Sequence, residues 1–426
     1  MQVNQIHTIF LKCNSLVIDT RKITKNSIFL AIKGERFDAN TFAQEALNLG
    51  ASYVIIDNAT HFIDERTILV SDSLKTLQEL ALYHRRYLNL PIIALTGSNG
   101  KTTTKELIQV VLSKKYNTKA TVGNLNNHIG VPLTLLSFTK ETEIGIVEMG
   151  ANHQQEIEFL CSLALPDFGY ITNYGKAHLE GFGGIEGVIK GKSEMYDYIL
   201  NHNKIVFVNL DDEIQVRKST ELTKITFGLN NEKADLNIKK ITANPFVEIV
   251  YNRVVIKSAL IGFYNSNNIN VAILIGKYFK IEDLQIKNAI ESYVPDNNRS
   301  QLLEKKTNKI ILDAYNANPS SMKVAIENFI QIENLNKILF LGDMFELGDE
   351  SIIEHKAIIS MLTNQECFTY FIGNYFYENR IENSNFLFFK SYEDLAAVLK
   401  NSKIENANIL IKGSRGMALE RVLEML

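Results

Sequence analysis

The stretch Pro91-Ile-Ile-Ala-Leu-Thr96-Gly-Ser-Asn-Gly-Lys101-Thr-Thr-Thr104-Lys105-Glu-Leu-Ile-Gln-Val-Val-Leu112 decides how the chain is read. Pro91 to Thr96 is an apolar run of strand length, and Lys105 to Leu112 has a helical pattern. The turn between them contains Gly97 and Gly100. A strand, a glycine-bearing turn, Lys-Thr and a helix together make a phosphate cradle. Backbone N–H groups and the helix N-terminus face the anion, Lys101 supplies a point charge, and the Thr102 hydroxyl can hold Mg²⁺. Gly97, Ser98, Asn99, Gly100, Lys101, Thr102 and Thr103 are therefore candidates for nucleotide-phosphate binding. The strict P-loop pattern places a glycine six residues before Lys101, where this chain has Leu95. Gly97 and Gly100 nevertheless preserve the mechanics.

Outward from this stretch, short apolar runs alternate with helical segments. Ile144 to Glu148, Phe168 to Thr172 and Lys204 to Asn209 continue the pattern, which predicts a parallel sheet with crossover helices. Before it, strands at Ser27 to Ile32 and Tyr53 to Ile56 and helices at Thr41 to Leu49 and Leu74 to Tyr87 predict a smaller α/β unit. After it, Leu236 to Ile261 carries period-two runs that predict an antiparallel patch. A second α/β series comprises Ile310 to Asp313, Lys337 to Leu341, Phe368 to Ile372 and Ile409 to Lys412. Pro and Asn in Tyr293-Val-Pro-Asp-Asn-Asn298 favour a turn-rich linker. The expected fold class is α/β in three domains, 1–88, 89–296 and 297–426.

Composition narrows the function. The 426 residues are 46% hydrophobic, enough for each domain to bury a core. A net charge of -3 argues against a dedicated nucleic-acid binder. Cys13, Cys161 and Cys367 are too scattered for a disulfide framework or a thiolate metal site. Without a signal-peptide pattern or a run of ~18 apolar residues, a cytoplasmic protein not inserted in a membrane is expected.

Other candidates sit at strand ends, where open α/β sheets bind ligands. Glu148 ends one strand and is a natural Mg²⁺ ligand beside a phosphate cradle; its plainer alternative is a solvated strand end. His178 follows another strand in Asn173-Tyr-Gly-Lys-Ala-His178. Asp313 precedes the amide-rich Ala314-Tyr-Asn-Ala-Asn-Pro319, and could equally form a turn that starts the next helix. The residues alone thus reach a multi-domain, Mg²⁺-dependent, nucleotide-using enzyme. They leave a small-molecule phosphotransferase and an inactive binding protein open.

With these residues in view, nearly the whole chain resembles the Mur ligase family, in its D-alanyl-D-alanine-adding branch. The resemblance rests on the cradle, on Gly123-Asn-Leu-Asn-Asn-His-Ile-Gly-Val-Pro132 and on Glu148-Met-Gly150. Asn173 to His178, Gly191-Lys-Ser-Glu194, Asn265 with Asn268, Arg299, Asp313 and Lys412-Gly-Ser-Arg415 follow in order. It implies a central P-loop-type parallel sheet, a smaller N-terminal domain and a Rossmann-like C-terminal domain. It also implies ATP and two Mg²⁺ ions, with UDP-N-acetylmuramoyl-tripeptide and D-alanyl-D-alanine as substrates of a monomeric enzyme of peptidoglycan precursor synthesis.

By this resemblance Lys101, Glu148, His178, Lys192 and Arg299 are catalytic. Asn265, Asn268, Arg299 and Asp313 face the nucleotide. Thr102, Glu148, His178 and Lys192, the last as a carbamate, hold metal. Asp19, Thr20, Arg21 and Gly34 belong to the UDP-sugar segment, and Asn127, Tyr315, Asn316 and Asn318 to substrate binding, with the Asn316 and Asn318 amides expected on the dipeptide's peptide bond. Two runs depart from the family pattern: Gly262-Phe-Tyr-Asn265 stands for Gly-Arg-His-Asn, and Asp38-Ala-Asn40 for Asp-Gly-His.

Overall fold

The computed structural model describes residues 1–35, 37–333, 336–400 and 402–426. Its central element is a seven-stranded parallel sheet. The strand Ile92–Thr96 lies between Ile144–Glu148 and Phe168–Ile171; Thr118–Ala120 forms one edge, and Ile205–Asn209, Thr223–Leu229 and Leu236–Ile238 extend the other. All five residues of Ile92–Thr96 are buried. Ile92 and Ala94 enter the apolar cluster on one face, Ile93 and Leu95 the cluster on the other. A strand covered on both faces needs a continuous apolar run, and this one has it. Chain connections diverge to either side of Ile92–Thr96, so its carboxyl end is the point where a crevice opens.

The N-terminal part builds a four-stranded parallel sheet from Ser15–Val17, Ser27–Leu30, Ala51–Ile56 and Thr67–Leu69. The expected helix from Thr41 is divided into a 3₁₀ turn, Ala39–Phe42, and the helix Ala43–Asn48. The C-terminal sheet runs in the order Gln301–Lys305, Asn308–Asp313, Asn408–Lys412, Lys337–Gly342, Phe368–Ile372, Phe386–Phe389, with only the first strand antiparallel. The segment Tyr293 to Asn298 contains no helix or strand.

One expectation is corrected. The antiparallel patch comprises Lys240–Ala243, Phe246–Tyr251 and Val254–Ile261, whereas Leu236–Ile238 pairs in parallel with Thr223–Leu229 at the edge of the central sheet. Three residues are too short for periodicity to reveal which sheet they join.

A buried histidine relay ties the N-terminal helix Val3–Phe10 to the helix Ser73–Leu88. His84 Nε2 lies 2.9 Å from the Phe138 carbonyl, and its Nδ1 lies 2.9 Å from His7 Nε2. A carbonyl only accepts, so His84 Nε2 donates there, and with that ring neutral its Nδ1 accepts from His7 Nε2. Burial, and then His84, lower the His7 pKa to about 4. The unfolded chain therefore binds more protons between pH 6.5 and about 4. The stability this group contributes is present above pH 6.5 and is lost as pH falls through that window. The loss should be on the order of 1–2 kcal/mol at pH 5. Thermal unfolding midpoints should fall more from pH 7 to pH 5 in the wild type than in a His7→Gln variant; equal falls would contradict the relay.

Candidate active site

A cavity of about 1020 Å³ opens at the carboxyl ends of Ile92–Thr96 and Ile144–Glu148 and extends to those of Asn308–Asp313 and Asn408–Lys412. Its floor is the turn from Gly97 to Gly100. Gly97 has φ +140° and Gly100 φ +78°, conformations that L side chains rarely adopt. A Cβ on Gly97 would stand 1.9 Å from Thr172 Oγ1 and 2.9 Å from the Thr172 nitrogen. Asn173 clasps the turn: its carbonyl accepts from Ser98 N at 3.0 Å, its Oδ1 from Asn99 N at 3.1 Å, and its Nδ2 donates to Asn99 O at 2.9 Å. The helix Lys101–Leu112 follows, and its first three N–H groups have no partner within the helix. Gly97→Ala should therefore weaken ADP binding at least about tenfold, a cost of ~1.4 kcal/mol. Calorimetric titration checks this, and unchanged affinity would contradict the close approach.

Lys101 Nζ donates to Gly97 O at 2.7 Å. Burial lowers its pKa, Glu148 opposes the shift, and Arg299 adds to it. Thr102 Oγ1 donates to Glu148 Oε2 at 2.9 Å, and Asn126 Nδ2 to Glu148 Oε1 at 2.8 Å. Glu148 is 2% exposed, so its solvated-strand-end alternative does not hold. Among the described residues no group of three or more His, Cys, Asp and Glu surrounds a metal position. Thr102 and Glu148 still fit Mg²⁺, which is usually held by one or two protein groups together with phosphate oxygens and water.

His178 lines the cavity and reaches across it: its Nδ1 hydrogen-bonds to Glu346 Oε2, in the loop after Lys337–Gly342. That bond holds the Glu346 carboxyl below the usual range. Lys192, on the helix Ile185–Asn201, is 1% exposed, and its Nζ stands 5.0 Å from the Phe182 ring centroid. Among the described residues it forms no ion pair, while neighbouring Lys190 is exposed. Burial, reinforced by Lys101, lowers its pKa to about 7.

From the C-terminal part, Arg299 stacks on Tyr315 with 3.6 Å between the guanidinium carbon and the ring centroid, and its Nε is buried without a partner. Asp313 and Lys412 are register partners on adjacent strands, which places Lys412 Nζ 2.5 Å from Asp313 Oδ2. Asp313 Oδ1 also accepts from Ser300 N at 3.1 Å. Asn265 and Asn268 line the cavity with their amides engaged: Asn268 accepts from Thr104 Oγ1 at 2.9 Å and donates to Asn265 Oδ1 at 2.8 Å. They brace the phosphate turn from behind Gly100. Asn127 also lines the cavity, while its Oδ1 caps the backbone at Ile129 and Gly130.

Asn318 lines the cavity and also has a structural role. Its Oδ1 caps the helix Pro319–Ile330 by accepting from Ser321 N at 2.9 Å, and its Nδ2 donates to Asn99 Oδ1 at 2.7 Å. Its amide thus joins the C-terminal part to the phosphate turn, and one N–H and one oxygen lone pair remain for a ligand. Asn316 lines the cavity, with Arg415 N 3.4 Å from its Oδ1.

Family models match two segments: the Mur ligase middle domain fits residues 95–276, and the Mur ligase glutamate ligase domain fits residues 298–415. The UDP-N-acetylmuramoyl-tripeptide–D-alanyl-D-alanine ligase of Bacillus subtilis is 33% identical over 422 residues, covering 96% of this chain and 92% of that protein. The chain belongs to the Mur ligase family. A crystal structure of MurF from Acinetobacter baumannii superposes with a TM-score of 0.86 at 28% identity, covering 99% of this chain and 98% of that one. MurF ligase from Thermotoga maritima in complex with ADP superposes with a TM-score of 0.84 at 28% identity, covering 98% and 97%.

As a Mur ligase, the chain keeps its N-terminal candidates apart from this cavity. Asp19 pairs with Arg21, 2.8 Å apart, in the turn Thr20–Lys22, and Gly34 lies in the hairpin Lys33–Gly34 with Phe37–Asp38. None of Asp19, Thr20, Arg21 and Gly34 lines the cavity. Both departures from the family runs have local structural roles. Asn40 is buried, donates to Asp38 and Asp57 at 2.7 and 2.8 Å, and accepts from Asp57 N at 3.0 Å. Tyr264 hydroxyl is 2.6 Å from Ser300 Oγ and so links the central part to the residue after Arg299. Sequence reasoning missed Asn126, Ser300 and Tyr264 as contacts of the site, whereas Glu346 stands in Gly342-Asp-Met-Phe-Glu-Leu-Gly348, a run after a C-terminal strand that is expected to face the nucleotide. Of these, Asn126 could have been found, because it stands in the amide-rich run before Glu148.

Proposed function

We propose that this Mur ligase joins D-alanyl-D-alanine to UDP-N-acetylmuramoyl-tripeptide, forming ADP and orthophosphate, in peptidoglycan precursor synthesis. One observation carries the reading: the phosphate cradle with its Thr102–Glu148 pair faces the Asp313 to Asn318 loop across a single cavity. Its relatives over nearly the whole length are ligases of this reaction. The work divides by domain: 1–88 holds the UDP-sugar, 89–296 the ATP and 297–426 the incoming amine. The reaction belongs in the cytoplasm, and no helix among the described residues is long and apolar enough to cross a membrane.

A carboxylate is a poor electrophile, so the tripeptide's terminal carboxylate first takes the γ-phosphoryl group. A P–O bond to that carboxylate forms as the P–O bond to ADP breaks. The dipeptide nitrogen then attacks the acyl carbon, the C–O bond to phosphate breaks, and one amine proton is released with orthophosphate. Two anions meet in the first step. Lys101, Arg299 and the free N–H groups of Lys101, Thr102 and Thr103 place positive charge against the phosphate oxygens. Bound Mg²⁺ would neutralise further charge and polarise the phosphoryl group, one ion on Thr102 and Glu148 and a second on His178 and carbamylated Lys192. Tyr264 with Ser300, and Asn318 with Asn99, hold the two walls together and limit the access of water to the acyl phosphate.

Incubation with ATP, UDP-N-acetylmuramoyl-tripeptide and D-alanyl-D-alanine should yield the corresponding pentapeptide nucleotide by mass spectrometry. ATP consumption without an amide product would contradict the reading.

A further inference from the structure

Glu346 reaches from the C-terminal sheet to the short helix Leu179–Phe182 and is seated there by three contacts. Its Oε2 accepts from His178 Nδ1, and its carbonyl accepts from Glu180 N at 3.2 Å. The adjacent Leu347 is 3% exposed and belongs to the same apolar cluster as Leu179 and Phe182. The start of the loop is fixed by Phe345 N, which donates to Ser414 Oγ at 2.9 Å. The Glu346 side chain itself is 55% exposed. A pair so exposed adds little stability, so stability alone does not account for the arrangement. Its chemical effect is specific: an imidazole that gives its Nδ1 proton to a carboxylate keeps the Nε2 lone pair free for a cation. The other carboxylates lining the cavity are committed elsewhere, Glu148 to Thr102 and Asn126, Glu156 to the Asn152 and His153 N–H groups, and Asp313 to Lys412 and Ser300.

We infer that Glu346 is a positioning residue that holds His178 in the tautomer able to ligate the second cation, so that this cation site is complete only when the C-terminal part is docked. The inference rests on the proposed reading of His178 as a metal ligand. It implies that phosphoryl transfer waits for docking, which guards the acyl phosphate against hydrolysis.

The test is Mn²⁺ titration of the full chain in the presence of ADP, followed by electron paramagnetic resonance, together with ¹⁵N-histidine NMR. Glu346→Ala should weaken one Mn²⁺ site roughly 10- to 100-fold and leave the other unchanged. His178 should then lose its single Nδ1–H tautomer. Glu346→Gln, which keeps an acceptor for Nδ1, should restore the tautomer and most of the affinity. If Glu346→Ala left both Mn²⁺ sites and the tautomer unchanged and raised only the KM for D-alanyl-D-alanine, Glu346 would act on the amine and the inference would fall. His178→Ala should lose the same Mn²⁺ site. If it kept both sites, the metal reading of His178 would fail in its own right.

Discussion

Lys101→Ala is expected to abolish ligation while the protein stays folded. Lys101 is held only by Gly97 O, with a weaker 3.4 Å approach to Ser98 O, so truncation leaves the Thr102–Glu148–Asn126 set in place. Truncation removes a cation whose charged form burial already disfavours, and Glu148, the carboxylate that favours that charge, keeps its bonds from Thr102 and Asn126. The charge that opposes phosphate repulsion disappears, a loss of roughly 4 kcal/mol in the transition state, or on the order of 10³-fold in rate. Steady-state turnover checks this, with circular dichroism to confirm the fold. A folded variant with near-normal turnover would show that the cradle does not carry the γ-phosphoryl group.

The second large effect is expected at Lys192. Its burial beside Phe182, without an ion-pair partner among the described residues, disfavours an ammonium, and the Lys101 charge disfavours it further, against a weaker opposing effect of Glu156 and Glu194. With its pKa lowered to about 7, much of the amine is neutral at ordinary pH and can attack CO₂. On the proposed reading, a C–N bond would form, one proton would leave, and the side chain would become a carbamate whose two oxygens suit a hard cation. A solvated surface lysine would have none of these properties; Lys190, two residues away, is such a residue. Lys192→Ala should lose activity by at least about 10²-fold, the upper range for disrupting a metal's ligand environment. Short carboxylic acids that fill the missing carboxylate should restore part of it. ¹³C-labelled bicarbonate should also produce a carbamate resonance in the wild type that the variant lacks. A bare amine in a high-resolution map of the Mg²⁺-bound enzyme would rule the carbamate out.

The parts legible in the sequence are those set by local rules. The glycines of the turn, Lys101 and Thr102 stand at short, chemically meaningful spacings, and Glu148 ends an apolar run whose direction places it beside them. The antiparallel patch also has its own period. Long-range pairings escaped. His178 and Glu346 are 168 residues apart, and neither spacing nor composition connects them. The amide-rich loop points to Asn318 for a peptide bond and gives no sign of its structural bonds. Capping of its own helix engages one oxygen lone pair and the bond to Asn99 one N–H, and only the fold reveals the second bond. Leu236–Ile238 went to the other sheet for the same reason, since strand partnership is a tertiary property.

Selectivity for a dipeptide is expected from the groups of the 313–318 loop, among them Asn316, Asn318 and the aromatic face of Tyr315 under Arg299. A site shaped for a peptide bond leaves buried polar groups without partners when a single amino acid binds, at about 1–3 kcal/mol each. Phosphate release measured with ATP and UDP-N-acetylmuramoyl-tripeptide, with the amine varied, tests the central claim most directly. D-alanyl-D-alanine should support turnover far better than D-alanine, L-lysine or meso-diaminopimelate. Equal or faster release with any of those single amino acids, on the tripeptide or on a dipeptide nucleotide, would contradict the account and assign the chain to another Mur ligase activity.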